Sequence, residues 1–167
     1  RSRWAPTIFG TAAPDTGNAE ILALFGTPEQ KQRFLGPLME QEIVSCFSMT
    51  EPQGGADPGE FVCKATRVGD EWEIEGEKWF SSNARYAAFC LVIAVTDPEA
   101  KLTERMSMFI VPAETPGFEI VRNVAIVGEP DADDGAQCHV RYNRVRVPLD
   151  HMLGKPGEGF KVAQARL

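Results

Sequence analysis

The sequence has no CxxC pair, only two histidines and no apolar run longer than the one from Ala87 to Val95. Each shortage removes a class of function. That run is far short of the roughly 20 apolar residues a membrane-crossing helix needs, so no membrane insertion is expected. Cys46, Cys63, Cys90 and Cys138 stand singly in apolar, strand-like surroundings, and read as buried, reduced thiols rather than disulfides or zinc ligands. His139 and His151 are equally isolated and receive no catalytic or metal role. Positive charge is also scarce: 17 Lys and Arg stand against 24 Asp and Glu, for a formal net charge of −7. With no Lys/Arg cluster, nucleic acid and anionic membrane surfaces are poor partners. No signal or transit peptide pattern is present. The chain opens on Arg1 and stops at Leu167 inside a helix-like run, so it is expected to be a piece of a longer protein.

What remains is a globular composition, 43% hydrophobic and 25% charged over 167 residues, enough for one full core. The first forty residues read as helical. Asn18 is placed to cap a short helix over 19–25 that Gly26 ends in a left-handed conformation, and the residues before Asn18 read as an extended connector. Thr27-Pro28-Glu29-Gln30 is a helix start with a capping box, after which Phe34, Leu35, Leu38 and Met39 share one face. From residue 42 the pattern changes to short β-branched and aromatic runs over 43–49, 60–68, 71–74, 87–96, 106–112, 118–122, 137–142 and 145–147. Gly69-Asp70 predicts a hairpin turn between two of them. About eight strands without intervening helices predict an antiparallel barrel or sandwich. A glycine-punctuated loop over 152–159 then leads into a helix from Phe160.

Two stretches carry the chemistry. Met49-Thr50-Glu51-Pro52-Gln53-Gly54-Gly55-Ala56-Asp57 is a polar turn after a strand, with glycines that admit positive φ and close approach of backbone to a ligand. Asp57 reads as a turn-stabilising acceptor. Gly76-Glu77-Lys78-Trp79-Phe80-Ser81-Ser82-Asn83-Ala84 places aromatics and then hydroxyls at the end of a second strand. Strict alternation sets Phe80 and Ser82 on one face and Trp79 on the other, packed into the core or against the helices. Taken singly, the first stretch is an ordinary surface turn, and Lys78 is a solvated strand end or a turn contact for Glu77. Arg85 is expected at the surface. Glu129 and Pro130-Asp131-Ala132-Asp133-Asp134-Gly135 form an acidic stretch without the spacing of a calcium-binding loop, and read as a solvated hairpin loop rather than a metal site. Arg141, Arg144 and Arg146 alternate along a strand and read as structural.

The two motifs, in this order and one short hairpin apart, resemble the acyl-CoA dehydrogenase family. The likeness runs from Gly26-Thr27-Pro28-Glu29-Gln30-Lys31 to Gly154-Lys155-Pro156-Gly157-Glu158-Gly159-Phe160. It implies three parts: the end of an N-terminal helical domain over 1–41, a β-barrel middle domain over 42–153, and the start of a C-terminal helical domain over 154–167. It also implies an FAD-dependent oxidoreductase of lipid metabolism, oxidising an acyl-CoA thioester to its trans-2-enoyl-CoA. Electron-transfer flavoprotein is the implied acceptor, and a homodimer or homotetramer the implied assembly. The implied location is bacterial cytoplasm, or the mitochondrial matrix in a eukaryote. By position in the motifs, Phe47, Met49, Thr50, Gly55, Ala56, Phe80 and Ser82 would hold the flavin, Phe80 covering the ring and Ser82 donating to N5. Gln137 and His139 are the next polar candidates.

The chain departs from the family pattern in two places. Ala56 stands where a Ser usually contacts the pyrophosphate, and the acidic stretch replaces an Arg-containing one. The catalytic base would be a carboxylate of the C-terminal domain, so no residue of this chain is assigned to catalysis. The alternatives are an acyl-CoA oxidase, a relative repurposed for nitroalkanes or damaged DNA, and a non-enzymatic β-barrel binding module.

Overall fold

The computed structural model describes residues 12–125 and 137–166. The acidic stretch around Asp131 lies outside them.

Helix α1, Asp15–Phe25, begins before Asn18, in the segment expected to be a connector. Asn18 is not its cap. It is fully buried and donates from Nδ2 to Ser45 Oγ at 2.9 Å, while the Ser45 N–H and hydroxyl both donate to Asp15 Oδ1, at 2.7 and 2.6 Å. The polar residues that suggested a helix start therefore fasten the helix to the first strand. Gly26 ends α1 in an extended conformation, φ −72°, rather than a left-handed one. Helix α2 spans 28–39 and has the expected capping box, with Gln30 N–H on Thr27 Oγ1 at 3.2 Å and Thr27 N–H on Gln30 Oε1 at 2.9 Å. Its middle, Lys31–Leu35, widens to a π-turn in which the Gly36 N–H reaches Lys31 O. Pro37 has no N–H to continue the ordinary ladder, and the wider turn accommodates that gap. A short helix α3, Gly159–Gln164, closes the described chain.

The strands are β1 Ser45–Ser48, β2 Lys64–Val68, β3 Glu71–Ser82, β4 Phe89–Val95, β5 Met106–Pro112, β6 Phe118–Asn123, β7 Gln137–Pro148 and β8 Met152–Leu153. They form one sheet in the order β6-β7-β3-β1-β4-β5-β8, with β2 also pairing β3 and β4. This corrects the expected barrel. The sheet is open, because β6 at one end and β8 at the other do not pair with each other. Nor is it wholly antiparallel, since β1 and β2 both run parallel to β4. At the β8 end a side chain replaces a strand: Gln30 Nε2 donates to the carbonyls of Asp150 and Met152, at 2.6 and 3.0 Å.

Two apolar clusters flank the β4–β5 half of the sheet. One gathers inward residues of β3 and β7, such as Ile74 and Val140, with Val92 and Phe109 of β4 and β5, so the sheet bends over on itself. The other packs Leu91, Ile93, Met108 and Ile110 under Ile21, Leu22, Phe34 and Val162 of the helices. Strands β4 and β5 are buried on both faces, which is why they read as continuous apolar runs. All four cysteines are free and buried, and burial pushes the Cys63 thiol up to about 11.

β3 is longer than its apolar pattern suggested and carries the second motif as far as Ser82. Gly76 makes this possible. Its φ is +148°, and a Cβ there would lie 2.6 Å from Cys63 Cα, so only glycine lets β3 pass the 61–63 segment. The runs at 137–142 and 145–147 are likewise one strand, with the register shift against β3 falling between Ile74 and Gly76. Gly76→Ala should destabilise the protein by on the order of 2 kcal/mol, through backbone strain and the clash with Cys63. A denaturant titration would show the loss, and an unchanged midpoint would contradict this account of β3.

Candidate functional site

The two motifs meet edge to edge. Phe47 of β1 pairs with Ser82 of β3, and the Trp79 N–H donates to Thr50 O at 2.7 Å. Beyond Thr50 the chain turns tightly, with Glu51 and Gly54 exchanging backbone hydrogen bonds of 3.0 and 3.1 Å. Neither Gly54 nor Gly55 takes a positive φ, so the conformational reading of this pair is corrected. What Gly55 supplies is space, since a Cβ there would sit 2.8 Å from Thr50 Cγ2. Asp57 does accept within the turn, from Gly59 N–H at 2.8 Å.

An ion pair locks this junction. Lys78 Nζ lies 2.7 Å from Glu51 Oε1, and the two residues are 0% and 2% exposed. Lys78 is thus neither solvated nor a partner of Glu77. Its ammonium also donates to Met49 O at 2.8 Å and sits 4.8 Å from the centre of the Phe61 ring. The Glu51 carboxylate further accepts from the N–H groups of Val62 and Cys63 and from Gln53 Nε2. One buried pair therefore ties together β1, the polar turn, the 61–63 segment and β3.

Past Lys78 the alternation breaks. The register of β3 against β7 shifts between Lys78 and Ser81, and Phe80 adopts φ +53°. Lys78 and Ser81 are both buried while the two residues between them bulge outward. Trp79 is consequently not in the core. It is half-buried beside His139, ring centres 4.8 Å apart, with the Arg122 guanidinium 4.8 Å from its ring, and meets Phe80 edge-on at 5.8 Å. Phe80 is 46% exposed, an aromatic face presented outward on a strained backbone. Ser82 is half-buried, and its hydroxyl donates to Gln137 Oε1 at 2.9 Å.

The remaining candidates fall around this core of the site. Phe47 carries the Arg166 guanidinium over its ring at 3.9 Å, and burial lowers the pKa of that guanidinium. Met49 packs partly against the helix-side cluster. Ala56 is exposed. Among the described residues, the N–H groups of Thr50, Gly55 and Ala56 and the Thr50 hydroxyl have no protein partner. Arg85 is exposed as expected. Arg141, Arg144 and Arg146 pair with Glu77, Glu73 and Glu71 on the surface, away from any ligand role. Hydrogen bonds from Arg141 and His139 hold the Glu77 carboxyl below its usual range. No group of His, Cys, Asp and Glu among the described residues is arranged for a metal ion.

A bulged aromatic beside a turn with free N–H donors is one signature among several, and comparison with known proteins decides its origin. Residues 46–145 match the family model for the acyl-CoA dehydrogenase middle domain. The chain belongs to the acyl-CoA dehydrogenase family. It is 41% identical over 168 residues to acyl-CoA dehydrogenase family member 11 of Gallus gallus, covering 98% of this chain and 22% of that protein. A provisionally named acyl-CoA dehydrogenase from Mycobacterium abscessus superposes with a TM-score of 0.91 at 38% identity, over 98% of this chain and 41% of the other. A glutaryl-CoA dehydrogenase from Mycobacterium smegmatis, solved in complex with FADH2, gives a TM-score of 0.75 at 26% identity, over 89% and 36% of the two chains. The chain thus spans well under half the length of these relatives.

Sequence reasoning missed the Glu51–Lys78 lock and the bulge that puts Trp79 beside Phe80. A signal for the first was present, since a Lys and a Glu within otherwise apolar or glycine-rich strand ends invite pairing. Removing either charge strands the other in the core, so Lys78→Met or Glu51→Leu alone should cost about 3–5 kcal/mol. The double replacement should recover part of that loss. Chemical denaturation of the three variants checks this; strictly additive losses would mean that the two side chains act independently.

Proposed function

We propose that this chain is the flavin-holding portion of an FAD-dependent acyl-CoA dehydrogenase. The observation that carries the reading is the junction itself: an exposed aromatic held on a strained bulge, next to a turn in which the Thr50, Gly55 and Ala56 N–H groups lack protein acceptors. An isoalloxazine needs an aromatic or apolar cover and hydrogen-bond donors at its polar edge, and a pyrophosphate needs backbone N–H groups with little side-chain bulk nearby. Phe80 would supply the cover. Ser82, Thr50 and Met49 would line the ring edge with Phe47, and Gly55 and Ala56 would offer main-chain donors to the phosphates. Ala56 brings no hydroxyl, so those donors carry more of the contact than a Ser-containing turn would need. The donor set and the absence of Cβ at Gly55 fit the group.

FAD supplies the hydride acceptor for oxidation of an acyl-CoA thioester to its trans-2-enoyl-CoA. The residues of this chain orient and cover. The bulge fixes the Phe80 ring, and Gln137 holds the Ser82 hydroxyl at the strand end. Glu51, although a carboxylate in the motif, is not the base: its oxygens are committed to Lys78, Val62, Cys63 and Gln53 in a buried site. The base is assigned to a C-terminal helical domain, electron-transfer flavoprotein is the acceptor, and the assembly is a homodimer or homotetramer. No described helix is long and apolar enough to cross a membrane; a bacterial cytoplasmic or mitochondrial matrix location is part of the same reading.

The intact protein should carry a flavin absorption band that acyl-CoA bleaches without oxygen. Ser82→Ala should weaken flavin binding or slow its reduction by about 1 kcal/mol, roughly fivefold. A colourless protein that no FAD addition restores would sink the proposal, and full flavin content with an unchanged reduction rate in the variant would remove Ser82 from it.

A further inference from the structure

Phe47 and Met49, two residues apart, both pack against the helix-side cluster, and Ser82 is the register partner of Phe47. The three therefore share the face of the sheet on which α1 and α3 stand. The helices bring a charge to that face. Arg166, just after α3, lays its guanidinium over the Phe47 ring at 3.9 Å. Gly17 of α1 leaves room for it, since a Cβ there would lie 2.7 Å from Arg166 Nε and 3.2 Å from its Cζ. A planar guanidinium fits such a slot and keeps its charge there, although burial lowers its pKa. What the cation lacks is an anion. Among the described residues no carboxylate pairs with it: Glu20 acts on it without closing an ion pair, and Asp15 is spent on Ser45. In a chain of net charge −7, a half-buried arginine that no acidic side chain neutralises is an exception.

We propose that Arg166, seated between Gly17 and Phe47, is a fixed positive charge that stabilises the reduced, anionic form of the flavin and so raises its reduction potential. The inference rests on the flavin-holding function above, in which Phe47 lies at the ring edge and Ser82 donates to N5. Oxidation of the thioester sends its α-proton to the base and its β-hydrogen, with two electrons, to N5. The ring is left with one negative charge over N1 and the C2 carbonyl wherever N1 is not protonated, and a cation near that edge favours it. Cross-strand partners stand about 5 Å apart at Cβ, so the guanidinium is on the order of 10 Å from the ring atoms that Ser82 meets. At that distance, with an effective dielectric constant of about 20, a unit charge changes the reduction equilibrium about tenfold. Lys78 cannot serve in its place, because Glu51 neutralises it.

The test is the potential of the intact, FAD-loaded protein, measured against a reference dye during stepwise anaerobic reduction. Arg166→Gln should shift the equilibrium about tenfold toward oxidised flavin, about 30 mV lower for a two-electron couple. Arg166→Lys, which keeps the charge, should keep most of the wild-type value. The absorption of the reduced flavin against pH supplies a second readout. The cation favours the N1 anion, so its removal should raise the pH at which N1 loses its proton by about one unit, a shift that lost packing alone does not produce. Where Arg166→Gln does not fold, Gly17→Ala reads the same effect, because its methyl displaces the guanidinium: a lower potential keeps the proposal and an unchanged one ends it. Equal potentials and equal N1 titrations in wild type and Arg166→Gln, with FAD retained, overturn the proposal and leave the flavin-holding function standing. A wild type that holds no FAD ends both.

Discussion

Burying the Glu51 carboxylate with Lys78 removes two charges from water, at an effective cost of several kcal/mol per ion, and the surrounding chain is arranged to offset it. The carboxylate collects the Val62 and Cys63 N–H groups and the Gln53 amide; the ammonium takes Met49 O and the Phe61 ring. Those partners come from three segments, the residue after β1, the 51–54 turn and the 61–63 segment. Satisfying the pair therefore fixes where β1 ends, how tightly the 51–54 turn closes, how the 61–63 segment passes β3, and where β3 begins to bulge. A hydrophobic pair of equal volume could hold the core together. It could not orient Met49 O and the Cys63 N–H at the same time, and the exposed groups of Thr50 and Phe80 sit one or two residues from those anchors.

The rest of the architecture serves the same junction from farther away. β4 and β5, buried on both faces, form a rigid floor between the helices and the bent-over β3–β7 half. β1 lies parallel to β4 and is pinned at its start by Asp15 and Asn18 of α1, so the strand that delivers Thr50 is fixed at both ends. With the scaffold set, the bulge at Trp79–Phe80 can store backbone strain without spreading it. His139, held by Glu77, and Arg122 pack around the Trp79 ring, which meets Phe80 in turn.

Much of this was legible in the sequence, and the failures have physical causes. The capping box at Thr27, the Gly69-Asp70 hairpin, the buried thiols and the apolar runs of β4 and β5 are local signals, and local interactions decide them. Asn18 misled because an Asn that caps and an Asn that cross-links helix to strand look alike until Ser45 is brought beside it. Closure into a barrel was an inference from strand count, which is blind to how an edge is finished; here Gln30 and a two-residue β8 finish it. Lys78 was misjudged because charge predicts exposure only when no partner is near, and Glu51, 27 residues away, is set beside it by the sheet. Trp79 failed on the assumption of strict alternation, which a bulge cancels. Of the candidate site residues, the register places Phe47 against Ser82, and the backbone bond places Thr50 beside Trp79; no local pattern reported either.

The site that results is a surface for holding and covering rather than one for proton transfer. Its only buried carboxylate among the described residues is spent on structure, and its free donors are the main-chain N–H groups of Thr50, Gly55 and Ala56 and the Thr50 hydroxyl. That division is the one the proposed function calls for, with the acid–base step supplied from outside these residues. A crystal structure of the intact protein with FAD tests this most directly. The account predicts the isoalloxazine within about 4 Å of the Phe80 ring, and Ser82 Oγ and the N–H groups of Thr50, Gly55 and Ala56 within hydrogen-bond reach of the flavin. A flavin bound elsewhere, with Phe80 and the 50–57 turn left in solvent, would contradict it.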